Sequence, residues 1–132
     1  MIRTFALMSA TALSVAACAT AEPELPGALF FSEQCAVCHG AKGRGDGLLA
    51  SDLSVAPADL TLLARNNGGV YPIDDVMAQV YGYPGRYQIG GMPEFGPLLD
   101  GPVEDWVTQS GETLATPRAL IDLAIYLEGL QR

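Results

Sequence analysis

The sequence predicts an all-α domain of three to five short helices joined by long loops. Three observations carry that expectation. Apolar residues recur at helical spacing in separated segments, 27–38, 60–65, 73–81 and 117–130. Fifteen glycines and nine prolines, many for a helical domain of 132 residues, leave long connections between those segments. The run Cys35-Ala36-Val37-Cys38-His39, closed by Gly40, is the pattern of covalent c-type haem attachment. Its two thiols can add across the two vinyl groups of one porphyrin while the adjoining imidazole binds the iron. A small domain with long loops needs a staple, so the helices are expected to wrap around one covalently bound haem c per chain.

The chain begins with a leader. Arg3 supplies a positive start and Phe5 to Ala17 an apolar run of signal-peptide length, so residues 1–17 are expected to direct export and to place the protein on the periplasmic side. Two processing sites compete. Leu13-Ser14-Val15-Ala16-Ala17-Cys18 resembles a bacterial lipobox, which would leave Cys18 first and lipid-anchored, whereas Ala19-Thr20-Ala21 would release a soluble chain starting near Glu22. Cysteine arithmetic favours the lipid, because Cys35 and Cys38 go to haem and Cys18 otherwise has no role. Residues 18–26 then form a linker and residues 27–132 the domain.

In segment 27–38 Leu29, Phe30, Val37 and the cysteine pair fall on or near one helical face, Phe31 lies four residues before Cys35, and Gly40 stops the helix. The following Gly40-Ala41-Lys42-Gly43-Arg44-Gly45-Asp46-Gly47 lacks the Lys-Ser/Thr pair of a phosphate-binding loop. Its glycines are expected to let the backbone pass close to the porphyrin, and one of its carbonyls to accept the free N–H of His39. Asp59 is expected to cap the helix at 60–65, and Asp74 and Asp75 to favour the start of the helix at 73–81. Residues 82–91 read as loop. A short helical patch is expected at 103–107, where Trp106, the sole tryptophan, either packs in the core or points its indole N–H at the haem edge. The last helix opens at Pro117, turns Leu120, Leu123, Ala124, Leu127 and Leu130 inward, and is expected to cross the first near Phe30 and Phe31.

With His39 the only histidine, a second axial ligand to iron has to come from another side chain, and a thioether is the usual choice. Met77 sits on the apolar stripe of a helix and reads as core. Met92, between Gly91 and Pro93 in a loop, is the expected ligand, giving His39 and Met92 as the metal ligands. A thioredoxin-like dithiol would need a βαβ setting that the flanks do not provide, and a zinc centre would need donors that the chain does not have.

The chain carries a net charge of −8 and one lysine, Lys42. That sign makes nucleic acid and anionic lipid surfaces poor partners, so no nucleic acid is expected, and it favours redox proteins with a basic or apolar docking face. Membrane association is expected through lipid on Cys18.

Taken in order, the C-x-x-C-H run, the Gly-Arg-Gly-Asp-Gly loop, Pro57-Ala58-Asp59-Leu60, Gly91-Met92-Pro93-Glu94-Phe95-Gly96 and the terminal Tyr126-Leu127 helix resemble a class I, monohaem bacterial cytochrome c over residues 27–132. The resemblance implies an all-α fold, haem c on Cys35 and Cys38, and axial His39 and Met92. It implies a periplasmic electron carrier rather than an enzyme; a haem subunit of a dehydrogenase or terminal oxidase, or a five-coordinate haem enzyme or gas sensor, are the alternatives. Two positions depart from the family. Leu48 stands where a proline carbonyl often orients the proximal histidine, and the lysine ring of many soluble carriers is missing.

Overall fold

The computed structural model describes residues 25–82 and 91–132. The leader, Cys18, most of the 18–26 linker and residues 83–90 of the loop before Met92 lie outside the described residues.

Helix α1 (Pro26–Phe30) begins on Pro26, where a missing N–H costs least, and continues without a break through a wider π-helical turn, Phe31–Cys35, into α2 (Ala36–His39). Gly40, at φ 79°, ends it. The face turned inward is not the expected one. Gly27, Phe31 and Cys35, spaced by four, are buried, whereas Leu29 and Val37 are exposed.

The reason is α5 (Arg118–Gly129), which lies across α1. A Cβ on Gly27 would stand 2.1 Å from the Asp122 carbonyl oxygen, so only glycine permits this approach. Phe31 then stacks at 5.4 Å on Tyr126, while Phe30 meets Phe95 edge-on at 6.5 Å. The crossing expected at Phe30 and Phe31 thus occurs one turn earlier and at Phe31. Leu120, Leu123, Ala124 and Leu127 are buried as expected, Ile121 with them, and Pro117 stands just before the helix rather than inside it.

A 3₁₀ turn at Leu60–Leu62 leads into α3 (Leu63–Asn66), with Asp59 at the predicted cap. Helix α4 (Ile73–Tyr81) follows the predicted span, buries Met77, Ala78 and Val80, and ends at Gly82 in the left-handed region.

The all-α expectation fails at residues 103–117. These form an antiparallel hairpin, β1 (Val103–Val107) and β2 (Thr113–Pro117), in register Val103 to Pro117 through Val107 to Thr113. Val103, Trp106 and Val107 have the spacing i, i+3, i+4 of a helix, which is why the segment reads as helical. β-branched and aromatic side chains nevertheless favour extended backbone, and Thr113, Leu114 and Thr116 supply a matching partner. Gly111, at φ 86°, closes the turn, and its N–H donates to the Thr108 carbonyl at 2.9 Å. Pairing puts Trp106, Leu114 and Thr116 on one face, where they meet Met77 and Ala78 of α4. The domain is therefore mixed, helices around a core with one two-stranded sheet on α4. Among the described residues no helix is long and apolar enough to cross a membrane.

Candidate functional site

The two thiols sit at the junction of the π-helical turn and α2. Cys35 is buried against the core and Cys38 is partly exposed, and both are free thiols. Burial, and to a smaller extent the neighbouring Cys38, pushes the Cys35 thiol up to about 12.

His39 ends α2 with its Nδ1 3.0 Å from the carbonyl oxygen of Ala58. A carbonyl can only accept, so Nδ1 is the donor, which leaves Nε2 as the ring nitrogen available for a ligand role. The acceptor was expected in the glycine-rich loop, or at Leu48, and it is neither. Leu48 is 85% exposed. The loop itself folds back along the chain's own backbone. Its N–H groups at Gly45, Gly47 and Leu49 donate to the carbonyls of His39, Cys38 and Val37 at 2.8, 3.0 and 2.9 Å. A Cβ on Gly47 would lie 2.4 Å from the Val37 oxygen and 2.5 Å from the Cys38 carbonyl carbon. At Gly47 a close approach to the C-x-x-C-H backbone thus requires glycine. These bonds satisfy the carbonyls that α2 leaves unpaired at its end.

Met92 is half-buried and packs against the core cluster, in a segment whose Phe95 N–H donates to the Val80 carbonyl at 2.9 Å. Met77, 4% exposed beneath the hairpin, is the core residue its helical stripe predicted. Trp106 is not free to point elsewhere. Its indole N–H donates to Asp74 Oδ1 at 2.9 Å, and the other oxygen of the same carboxylate accepts the Gln109 N–H at 2.7 Å. It fastens the hairpin to the start of α4.

The donor set fits a haem. Two thiols three residues apart and one imidazole oriented through Nδ1, with Nε2 left for the iron, are the groups that covalent attachment and iron ligation require. Among the described residues no three Cys, His, Asp or Glu side chains converge on a metal-sized point. The segment after the glycine-rich loop, tied to α2 by the Leu49 N–H on the Val37 carbonyl, leaves Leu48, Leu49, Leu53 and Val55 exposed. No sequence signal marked Ala58, because a backbone carbonyl reaching a ring nineteen residues away leaves no trace in side-chain identity. Comparison with known proteins returns no match, neither a family model, nor a curated protein, nor a solved structure.

Proposed function

We propose that the chain is a periplasmic electron-transfer protein that holds one haem c covalently, of the class I monohaem cytochrome type. The observation that supports it most directly is the Nδ1 bond of His39 to Ala58, which fixes one tautomer of an imidazole adjoining paired thiols. Cys35 and Cys38 would hold the group as thioethers, and His39 and Met92 would ligate its iron. When bound, haem supplies a one-electron couple, ferric iron becoming ferrous on taking an electron from a donor and returning to ferric on passing it to an acceptor. The protein's own share is to fix the His39 ring, to keep water from Cys35 by burial, and to offer a sulfur rather than a second imidazole, which raises the potential. The net charge of −8 suits partners with a basic or apolar docking face. Export through residues 1–17, with a lipid on Cys18 holding the domain at a membrane, completes the proposal.

A visible and near-infrared spectrum of the purified protein, with haem staining after denaturing electrophoresis, tests it. Wild type should stain and show a sulfur-to-iron band. The double variant Cys35→Ala/Cys38→Ala should lose the stain entirely, and stain retained by it would overturn the attachment.

A further inference from the structure

The Ala58 carbonyl that orients His39 belongs to a segment without regular structure of its own, so something else has to aim it. The peptide plane joining Ala58 to Asp59 is rigid, and any rotation of Asp59 about that plane swings the Ala58 oxygen with it. Asp59 is held on one side by its own turn, Oδ1 accepting the Thr61 N–H at 2.9 Å and the Thr61 hydroxyl at 2.5 Å. On the other side stand Gln131 and Arg132, the two residues after the turn that ends α5. The Arg132 guanidinium donates to Asp59 Oδ2 at 3.1 Å and, through Nε, to Thr61 Oγ1 at 2.7 Å, while its main-chain N–H donates to the Thr61 carbonyl at 3.1 Å. Gln131 brackets the next residues: its Oε1 accepts the Ala64 N–H at 2.9 Å, and its Nε2 donates to the carbonyls of Leu60 and Leu127 at 2.8 Å each. From the opposite side the Leu60 N–H donates to the Gly43 carbonyl at 2.7 Å. The Thr61 hydroxyl first, and Arg132 after it, hold the Asp59 carboxyl below its ordinary value, so it remains an anion for the guanidinium to grip.

We infer that Gln131 and Arg132 are positioning residues for His39: by clamping 59–64 they set the direction of the Ala58 carbonyl and hence the strength of its bond to His39 Nδ1. The inference deepens the haem reading and rests on it for its redox consequence. A firmly held Nδ1–H bond makes the imidazole a better donor to iron and favours the ferric state. Loosening the clamp should therefore weaken that bond and move the midpoint potential to more positive values, with the haem still attached.

His39 is the sole histidine, so histidine-selective ¹⁵N labelling reads its ring alone. In the holoprotein, Arg132→Ala should speed exchange of the Nδ1 proton roughly tenfold, the factor that goes with losing about 1.4 kcal/mol, and shift the potential upward. Gln131→Ala should act in the same direction. Arg132→Lys, which keeps the charge facing Asp59 but not the planar reach to Thr61, should recover part of both effects. Arg118→Ala, which breaks exposed ion pairs to Glu104 and Asp122 far along α5, is the control for lost stability and should move neither. Arg132→Ala and Gln131→Ala variants that lose stability yet leave both ring exchange and potential at wild-type values would make the clamp merely structural and overturn the inference. A purified wild type without haem would instead defeat the electron-transfer reading. The ring-exchange comparison in that haem-free protein would still decide the clamp.

Discussion

His39 and Met92, the two side chains expected on either side of one iron, are supported by different means. His39 is fastened by the main chain: a ring nitrogen on Ala58, three loop N–H groups on the carbonyls of Val37, Cys38 and His39, and a bracket from 131–132 behind Ala58. Met92 is held by packing, half-buried against the core, with a main-chain tie three residues on, at Phe95 to Val80. A hydrogen-bonded support defines direction, because bonds weaken steeply with angle; a packed thioether adapts, because it has three rotatable bonds and no directional demand. The His39 side thus resembles a fixed jaw, and the Met92 side one that closes to fit.

The sharpest way to break this contrast is to truncate the two methionines. Met77→Ala, in the core, should cost about 2–5 kcal/mol in chemical denaturation and leave the sulfur-to-iron band in place. Met92→Ala should lose the band and open the iron to small ligands, with a smaller loss of stability because the side chain is only half-buried. The reverse pattern would exchange the two assignments. Next in size is Gly27→Ala. Its methyl would strike the Asp122 carbonyl and prise α5 from α1, so a loss of about 1–3 kcal/mol is expected even though alanine is the better helix former by about 1 kcal/mol. A variant as stable as wild type would show that the helix contact is not tight.

Trp106→Phe sharpens the contrast from the far side of the core. It removes one bond to Asp74, should cost about 1 kcal/mol, and should leave the haem spectrum unchanged. A displaced spectrum would return the indole to the haem edge. The smallest effect is at alkaline pH. The Tyr71 hydroxyl donates to the Ala124 carbonyl at 3.1 Å, and burial, followed by the negative charge of Glu128, raises its pKa above the ordinary value. A group raised in the folded state contributes its full stability below the unfolded pKa of about 10 and loses it as pH climbs past that value. Denaturation midpoints should therefore fall above pH of about 10 in wild type, and fall less steeply in Tyr71→Phe.

How far the sequence could be read follows from what each element depends on. Helix α4 and the buried stripe of α5 were legible because burial against one neighbour imposes the period of the helix on its apolar residues. The end of α2 was legible because Gly40 adopts a backbone conformation that few other residues reach. The hairpin was misread because residues 103, 106 and 107 keep a helical spacing, although in the strand Trp106 faces away from the exposed Val103 and Val107, and the deciding bond, Trp106 to Asp74, spans thirty-two residues. The inward face of α1 was misread for a related reason: Gly27 marks it by what it lacks. Of the expected site, Cys35, Cys38 and His39 lie within five residues of continuous helix, whereas the support of His39 comes from main-chain atoms at 58 and side chains at 131 and 132, which no local pattern announces.

The meeting of α1 with α5 also has a consequence for timing. Gly27 can receive Asp122, and Phe31 can receive Tyr126, only after nearly the whole chain has been made, and contacts so distant in sequence form late because closing a long loop costs entropy before it returns any contact. Until then Phe31 lacks the ring that Tyr126 lays against it, and the groove that Gly27 leaves for Asp122 stays unfilled, so the docking of the last helix is the step that completes this side of the core.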